Sequence, residues 1–244
     1  MKIIPLNEGV YTVDKQKVFT TLYEGDAYSP ASKHLKMSVC PFLVEIGNEL
    51  ILLDTGIGFF QDQQPFIHYY LGRHGYDPHD ITKVLLSHLH KDHIDGVGYD
   101  KDGRFMSNFP QAAIYLQQRE LEFAYTQPAN PSFSKTTLDG LSKLPNLHFL
   151  HEDQGYITEH IRFELTGGHT PFHQVFWIQD QDEMAFYGAD NLPQKGYLKY
   201  PFAYKSDYDG KKAMSQRLQW QQKAQAEHWA ILFYHDIKNN VVKY

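Results

Sequence analysis

The sequence predicts an α/β fold in which sheets are covered by helices. Two observations carry that prediction. Short runs rich in β-branched and aromatic residues, bounded by Gly, Asp, Asn or Pro, recur along the whole chain. Segments of helix-forming composition lie between them. Of the 244 residues, 42% are hydrophobic and 21% charged, which supplies enough apolar material for a sizeable core.

Taken in order, strands are expected at 9–13, 37–46 and 49–54, with Gly47-Asn48 as a hairpin turn between the last two. A helix is expected at 63–74. The apolar run Val84-Leu85-Leu86 marks a strand at 83–87, followed by a strand at 112–116 and a helix at 117–125. The polar, Pro-containing stretch 126–137 reads as a long surface loop, and a helix follows at 136–144. Strands are expected at 148–150, 161–165, 174–178 and 184–187. The clearest helix spans 208–227, where Ala213, Leu218, Trp220, Ala224 and Ala226 lie among polar helix formers and Asp207 is the expected cap. A strand at 230–234 closes the pattern. With no repeat, low-complexity tract or clear linker, residues 1–244 read as one domain.

The formal net charge of -6 argues against general nucleic-acid binding, which calls for a basic patch or stripe. A small-molecule substrate fits better, and the oligomeric state stays open. No 18-residue apolar stretch spans a membrane. Met1-Lys2-Ile3-Ile4-Pro5-Leu6 lacks a long apolar segment with a cleavage site, so a cytoplasmic protein is expected. The one cysteine, Cys40, cannot form an internal disulfide and reads as a small core hydrophobe.

The 14 histidines need an explanation. Ser87-His88-Leu89-His90-Lys91-Asp92-His93 directly follows the apolar run at 84–86. Residues two apart on an extended chain point the same way, so His88 and His90 can reach one metal together. Asp92 and His93 then follow at a turn. Imidazole with carboxylate suits zinc, iron or manganese. Solvated loop histidines do not account for four potential ligands in six residues. With no cysteine nearby, a closed structural zinc site is not favoured either.

The run His88-Leu89-His90-Lys91-Asp92-His93 resembles the His-x-His-x-Asp-His signature of the metallo-β-lactamase superfamily. Four further segments are similar to that family in order: Leu52-Leu53-Asp54-Thr55-Gly56, Gly167-Gly168-His169-Thr170-Pro171, Tyr187-Gly188-Ala189-Asp190 and Phe233-Tyr234-His235-Asp236. The resemblance implies an αβ/βα sandwich of two mixed sheets flanked by helices. It also implies two divalent metal ions, zinc before others. His88, His90 and His169 would hold one, Asp92, His93 and His235 the other, and Asp190 would bridge both. Asp54 is expected to accept the outer N–H of a ligand histidine; the alternative is a turn aspartate before Gly56. Two metals can share a water and lower its pKa to about 7, supplying a bridging hydroxide as nucleophile. Asp92 would pass the proton to the leaving oxygen.

Within the family, the segments 80–87 and 113–120 are similar to the quorum-quenching lactonases and the related phosphotriester hydrolases. That resemblance implies hydrolysis of a small ester, with an N-acyl homoserine lactone first. Phosphotriester, phosphodiester and thioester hydrolysis are the alternatives, and a metal-retaining binding module is the non-enzymatic one. Three departures bear on specificity. Phe172 stands where the family usually has Gly after His-Thr-Pro. Ile94-Asp95-Gly96 puts a carboxylate near the metals. Asn191-Leu192-Pro193 follows Asp190 where lactonases carry a tyrosine, so Tyr197 is the nearest candidate to hydrogen-bond a substrate carbonyl. Aromatic residues at 197–208, with Phe59, Phe60 and Phe66, either line an apolar pocket or pack helices onto the sheet.

Overall fold

Strict alternation of side chains along the strands builds a four-layer sandwich. The computed structural model describes residues 1–26, 28–29 and 33–244. One six-stranded sheet has the order Lys2–Pro5, Phe42–Ile46, Glu49–Leu53, Lys83–Leu85, Ala113–Gln117, Leu147–Leu150. Its last three neighbour pairings are parallel. The other six-stranded sheet has the order Gln154–Thr158, Ile161–Leu165, Gln174–Asp180, Glu183–Tyr187, Ala230–Leu232, Val241–Lys243. Both sheets are mixed, and successive residues on each strand serve opposite layers.

Phe42, Val44, Ile51, Leu53 and Leu85 meet Phe176, Ile178, Ala185, Tyr187 and Leu232 in the central core between the sheets. The intervening residues Leu43, Leu52, Val84 and Leu86 face outward and pack under the helices Phe66–Arg73, Gln118–Tyr125 and Lys135–Leu141. On the far side Val175, Trp177, Phe186, Ile231 and Phe233 carry the helix Gly210–Glu227 through Trp220 and Ala224. These strands are apolar on both faces because both faces are covered. The architecture is the αβ/βα sandwich expected from the sequence.

Several boundaries differ from expectation for local reasons. The run 37–46 is two strands, since the chain turns at Cys40-Pro41. Leu35–Val39 pairs with Gly9–Val13 in a separate three-stranded sheet, while Phe42–Ile46 enters the large one. Cys40 is fully buried in the central core. The helix expected at 63–74 begins at Phe66, because Gln64–Pro65 pairs with Phe60–Gln61 and Pro65 precedes the first turn. Asp209, not Asp207, caps the last long helix by accepting from the Lys212 main-chain N–H. Leu218 faces solvent; the buried stripe is Ala213, Arg217, Trp220 and Ala224. The strands Lys2–Pro5, Gln154–Thr158 and Val241–Lys243 lie outside the predicted set and are all edges or next to one. Among the described residues, no helix is long and apolar enough to cross a membrane.

Candidate metal centre

The candidate ligands gather where strand ends of both sheets meet. After Lys83–Leu85 the chain leaves the sheet, and Ser87 is held by Asp54 through its N–H at 2.8 Å and its hydroxyl at 2.7 Å. His90 is extended and precedes the one-turn helix Lys91–Ile94, which carries Asp92 and His93. That turn is tied down because the Thr55 N–H and hydroxyl both donate to the His93 carbonyl, at 2.7 and 3.0 Å. Gly96 is required just beyond it, since a Cβ there would stand 1.8 Å from the Thr55 carbonyl oxygen. His169 lies in the loop after Ile161–Leu165, and its N–H donates to Asn191 Oδ1 at 2.7 Å, next to Asp190. His235 follows the strand Ala230–Leu232, and its N–H donates to the Pro193 carbonyl at 2.9 Å.

Two ligand groups result. Atoms of His88, His90, His169 and Asp190 lie within 4.8 Å of one another, as do those of Asp92, His93 and His235. Asp190 faces both groups. Its Oδ1 is 3.2 Å from His93 Nε2 and 3.0 Å from His235 Nε2, while its Oδ2 is 3.2 Å from His169 Nε2.

The donor set fits cations. His93 Nδ1 donates to Asp54 at 2.7 Å, His169 Nδ1 to Asp207 at 2.8 Å, and His235 Nδ1 to the Ser38 carbonyl at 2.7 Å. Such outer partners fix the tautomer and raise ligand basicity. In the neutral imidazoles each Nε2 then carries a lone pair directed inward. His93 Nε2 and His235 Nε2 face each other at 3.2 Å, and His90 Nδ1 and His169 Nε2 at 3.0 Å. Two lone pairs at that distance repel unless they share a positive charge. His88 Nε2 and Asp190 Oδ1 are buried without a hydrogen-bond partner, which is costly unless a cation takes them up. Burial, reinforced by neighbouring histidines, holds His88 and His90 well below the usual imidazole range, in the ligand form. Burial also pushes Asp190 up, but positive charge on the imidazoles of His235, His93 and His169, which a bound cation would replace, outweighs it and holds the carboxyl well below the usual range.

Asp54 is the hub behind this cluster. It is fully buried and accepts from the Ser87 N–H, the Ser87 hydroxyl, His93 Nδ1 and the Tyr187 hydroxyl. Glu120 is a second hub. Its Oε2 accepts from the Thr170 hydroxyl at 2.9 Å and the Phe172 N–H at 3.3 Å. One buried side chain thus ties the loop of His169 to the helix Gln118–Tyr125.

A cavity opens over the ligands, lined by His90, Asp92, His169, Asp190 and His235 on its floor. Val13, Phe19, Leu35 and Met37 form an apolar wall, and Ser132, Tyr204 and Ser206 a polar one. Phe172 lies outside this lining, with the Arg119 guanidinium 5.4 Å from its ring. Asp95 turns away to accept from the Thr137 hydroxyl at 2.6 Å. Tyr197 is buried behind the cavity, with Arg217 4.7 Å from its ring. Its ring centroid is 5.8 Å from that of Tyr204, which does line the cavity. Phe59, Phe60 and Phe66 pack elsewhere, against Tyr11, Tyr99 and Tyr70. Sequence reasoning missed Asp207 as a histidine partner and the apolar wall, whose residues carry no motif and reach the site only through the three-stranded sheet.

The metallo-beta-lactamase superfamily model matches residues 40–226. An N-acyl homoserine lactonase from Bacillus cereus is 27% identical over 254 aligned positions, covering 93% of this chain and 89% of the relative. A probable metal-dependent hydrolase from Staphylococcus aureus superposes with a TM-score of 0.80 at 21% identity, covering 100% of this chain and 92% of that one. AidC, a dizinc quorum-quenching lactonase in complex with a product, superposes with a TM-score of 0.69 at 26% identity, covering 86% of this chain and 76% of that one.

Proposed function

The chain belongs to the metallo-β-lactamase superfamily of hydrolases, and from that premise we propose that it is a dinuclear zinc enzyme that hydrolyses a small ester, an N-acyl homoserine lactone first. The observation that carries this reading is the division of Asp190, with one oxygen toward His93 and His235 and the other toward His169. A carboxylate shared in this way suits two cations at once. His88, His90 and His169 would hold one, and Asp92, His93 and His235 the other. Together the two would supply a water of lowered pKa and positive charge for the developing oxyanion.

The chain's own residues do the rest. Asp92 Oδ2, 3.6 Å from His235 Nε2 at the cavity floor, takes the proton of the attacking water and returns it to the leaving oxygen. Tyr204 lines the cavity, so its hydroxyl can donate to a substrate carbonyl there. Tyr204 therefore fills the role that the sequence suggested for Tyr197. The wall of Val13, Phe19, Leu35 and Met37 receives an acyl chain. The Bacillus cereus relative acts on N-acyl homoserine lactones by name, which supports the same substrate here. The test is kcat/KM of zinc-loaded protein for ring opening of a medium-chain N-acyl homoserine lactone. A value above about 10⁴ M⁻¹s⁻¹ that disappears in His90→Ala upholds the reading. A negligible rate with zinc bound removes the lactone and turns the search to phosphotriesters and thioesters.

A further inference from the structure

The cavity also carries two cationic groups that lactone hydrolysis does not use. Lys17 and Lys91, 74 positions apart in the chain, both line it. The other charged residues of the lining, apart from the histidines, are Asp92 and Asp190, and both belong to the ligand groups. The charge that an incoming substrate meets outside the metal centre is therefore positive, on a chain whose net charge is -6.

Both lysines are positioned for this. Lys17 sits in the turn joining Gly9–Val13 to Phe19–Thr21, with φ at 57°. That left-handed conformation costs of order 1 kcal/mol for a residue with a Cβ. Asp14 holds it, its carbonyl accepting from the Lys17 N–H at 3.2 Å and its carboxylate from the Val18 N–H at 2.8 Å. Lys91 is fixed through its N–H, which donates to the Ser132 carbonyl at 2.8 Å. Its ammonium lies 5.8 Å from the Phe19 ring, reaching across the mouth toward the apolar wall. Four lysines, Lys2, Lys83, Lys135 and Lys243, pair with carboxylates. Among the described residues neither Lys17 nor Lys91 has a carboxylate within ion-pair reach. Two unpaired ammonium groups over an apolar wall suit an acyl chain that ends in an anion.

We infer that the substrate carries a carboxylate-like anion on its acyl portion, away from the scissile bond, and that Lys17 and Lys91 bind it. This rests on the ester-hydrolase reading of the same cavity and narrows its substrate from neutral to anionic esters. The zinc-loaded enzyme is to be compared on 4-nitrophenyl valerate and mono(4-nitrophenyl) glutarate, which differ by a terminal methyl or carboxylate. We expect kcat/KM at least tenfold higher for the glutarate ester, mainly through KM, with a preference that shrinks as salt rises. Lys17→Met and Lys91→Met each lower that preference at least threefold at unchanged zinc content. Equal or better turnover of the valerate ester, or a preference that survives both substitutions, overturns the inference. If neither ester is cleaved, the ester reading falls by itself, and titration of the holoenzyme with glutarate against valerate decides the anion site. Glutarate binding at least tenfold tighter, and no longer so in the double variant, upholds it; equal binding overturns it.

Discussion

Asp54→Asn separates the part of the site that tunes metal binding from the part that holds the fold. Asp54 accepts four hydrogen bonds in a fully buried position. Asparagine has the same shape but only one acceptor oxygen. With that oxygen where Oδ2 now receives His93, Ser87 Oγ and Tyr187, the new amino group meets the Ser87 main-chain N–H, now bonded to Oδ1 at 2.8 Å. Losing one hydrogen bond to a carboxylate costs about 1.5–3 kcal/mol. The backbone is not the cause of any loss, because asparagine tolerates the left-handed φ of 55° found here. His93 would then donate to a neutral acceptor, with about half the strength of the charge-assisted bond. Changes to such outer partners cost about 10–100-fold in metal affinity, or about 1.4–2.7 kcal/mol. Chelator competition measures the affinity, and urea unfolding of metal-free protein measures the fold. We expect one of two zinc equivalents to weaken 10–100-fold while the metal-free protein loses about 1.5–3 kcal/mol. Native zinc affinity together with the predicted loss of stability would show that Asp54 serves the fold alone and refute the argument.

Two further substitutions probe other hubs. Asp207 joins His169 Nδ1 at 2.8 Å to the Tyr204 main-chain N–H at 2.9 Å, so Asp207→Ala should weaken zinc about 10–100-fold and also raise KM; a change in zinc affinity with KM unaltered would separate Tyr204 from substrate binding. Glu8 is fully buried, and burial pushes its carboxyl from 4.5 up to about 8, with the Ile57 N–H drawing it only partly back. The folded chain therefore keeps a proton between those values that the unfolded chain releases, so this contribution is greatest below pH 4.5 and is lost as pH rises to about 8. At about 1.4 kcal/mol per pH unit the loss is of order 5 kcal/mol. Glu8→Gln should flatten that slope in urea unfolding, and parallel pH profiles for the two proteins would rule out the assignment.

Local pattern carried the metal motifs and the strand cores into the sequence reading, because both depend on neighbours in the chain. His88 through His93 sit within six positions, and strands such as 42–46 and 49–53 show their burial as runs in which four of five residues are apolar. What failed depends on distant partners. The run 37–46 reads as one strand until Pro41 is seen to divide two sheets. Asp207 and Asp209 are equivalent as helix caps in sequence; only the approach of His169 assigns one to the imidazole and the other to the helix. Tyr197 and Tyr204 likewise differ only in which one fronts the cavity. Lys17 and Lys91 had no reason to be read together until the turn at 14–18 was folded over the mouth.

Each ligand group draws on both sheets. His88 and His90 follow a strand of the first, whereas His169 and Asp190 follow strands of the second; Asp92 and His93 likewise meet His235 across the same seam. Any cation held there is a rivet between two halves, and a chain that has opened along the seam has no complete group with which to hold it. Cation binding then selects the closed sandwich by mass action, adding about 2.7 kcal/mol when free metal stands at a hundred times its dissociation constant. The protein's resistance to unfolding would then follow the supply of that cation in its surroundings.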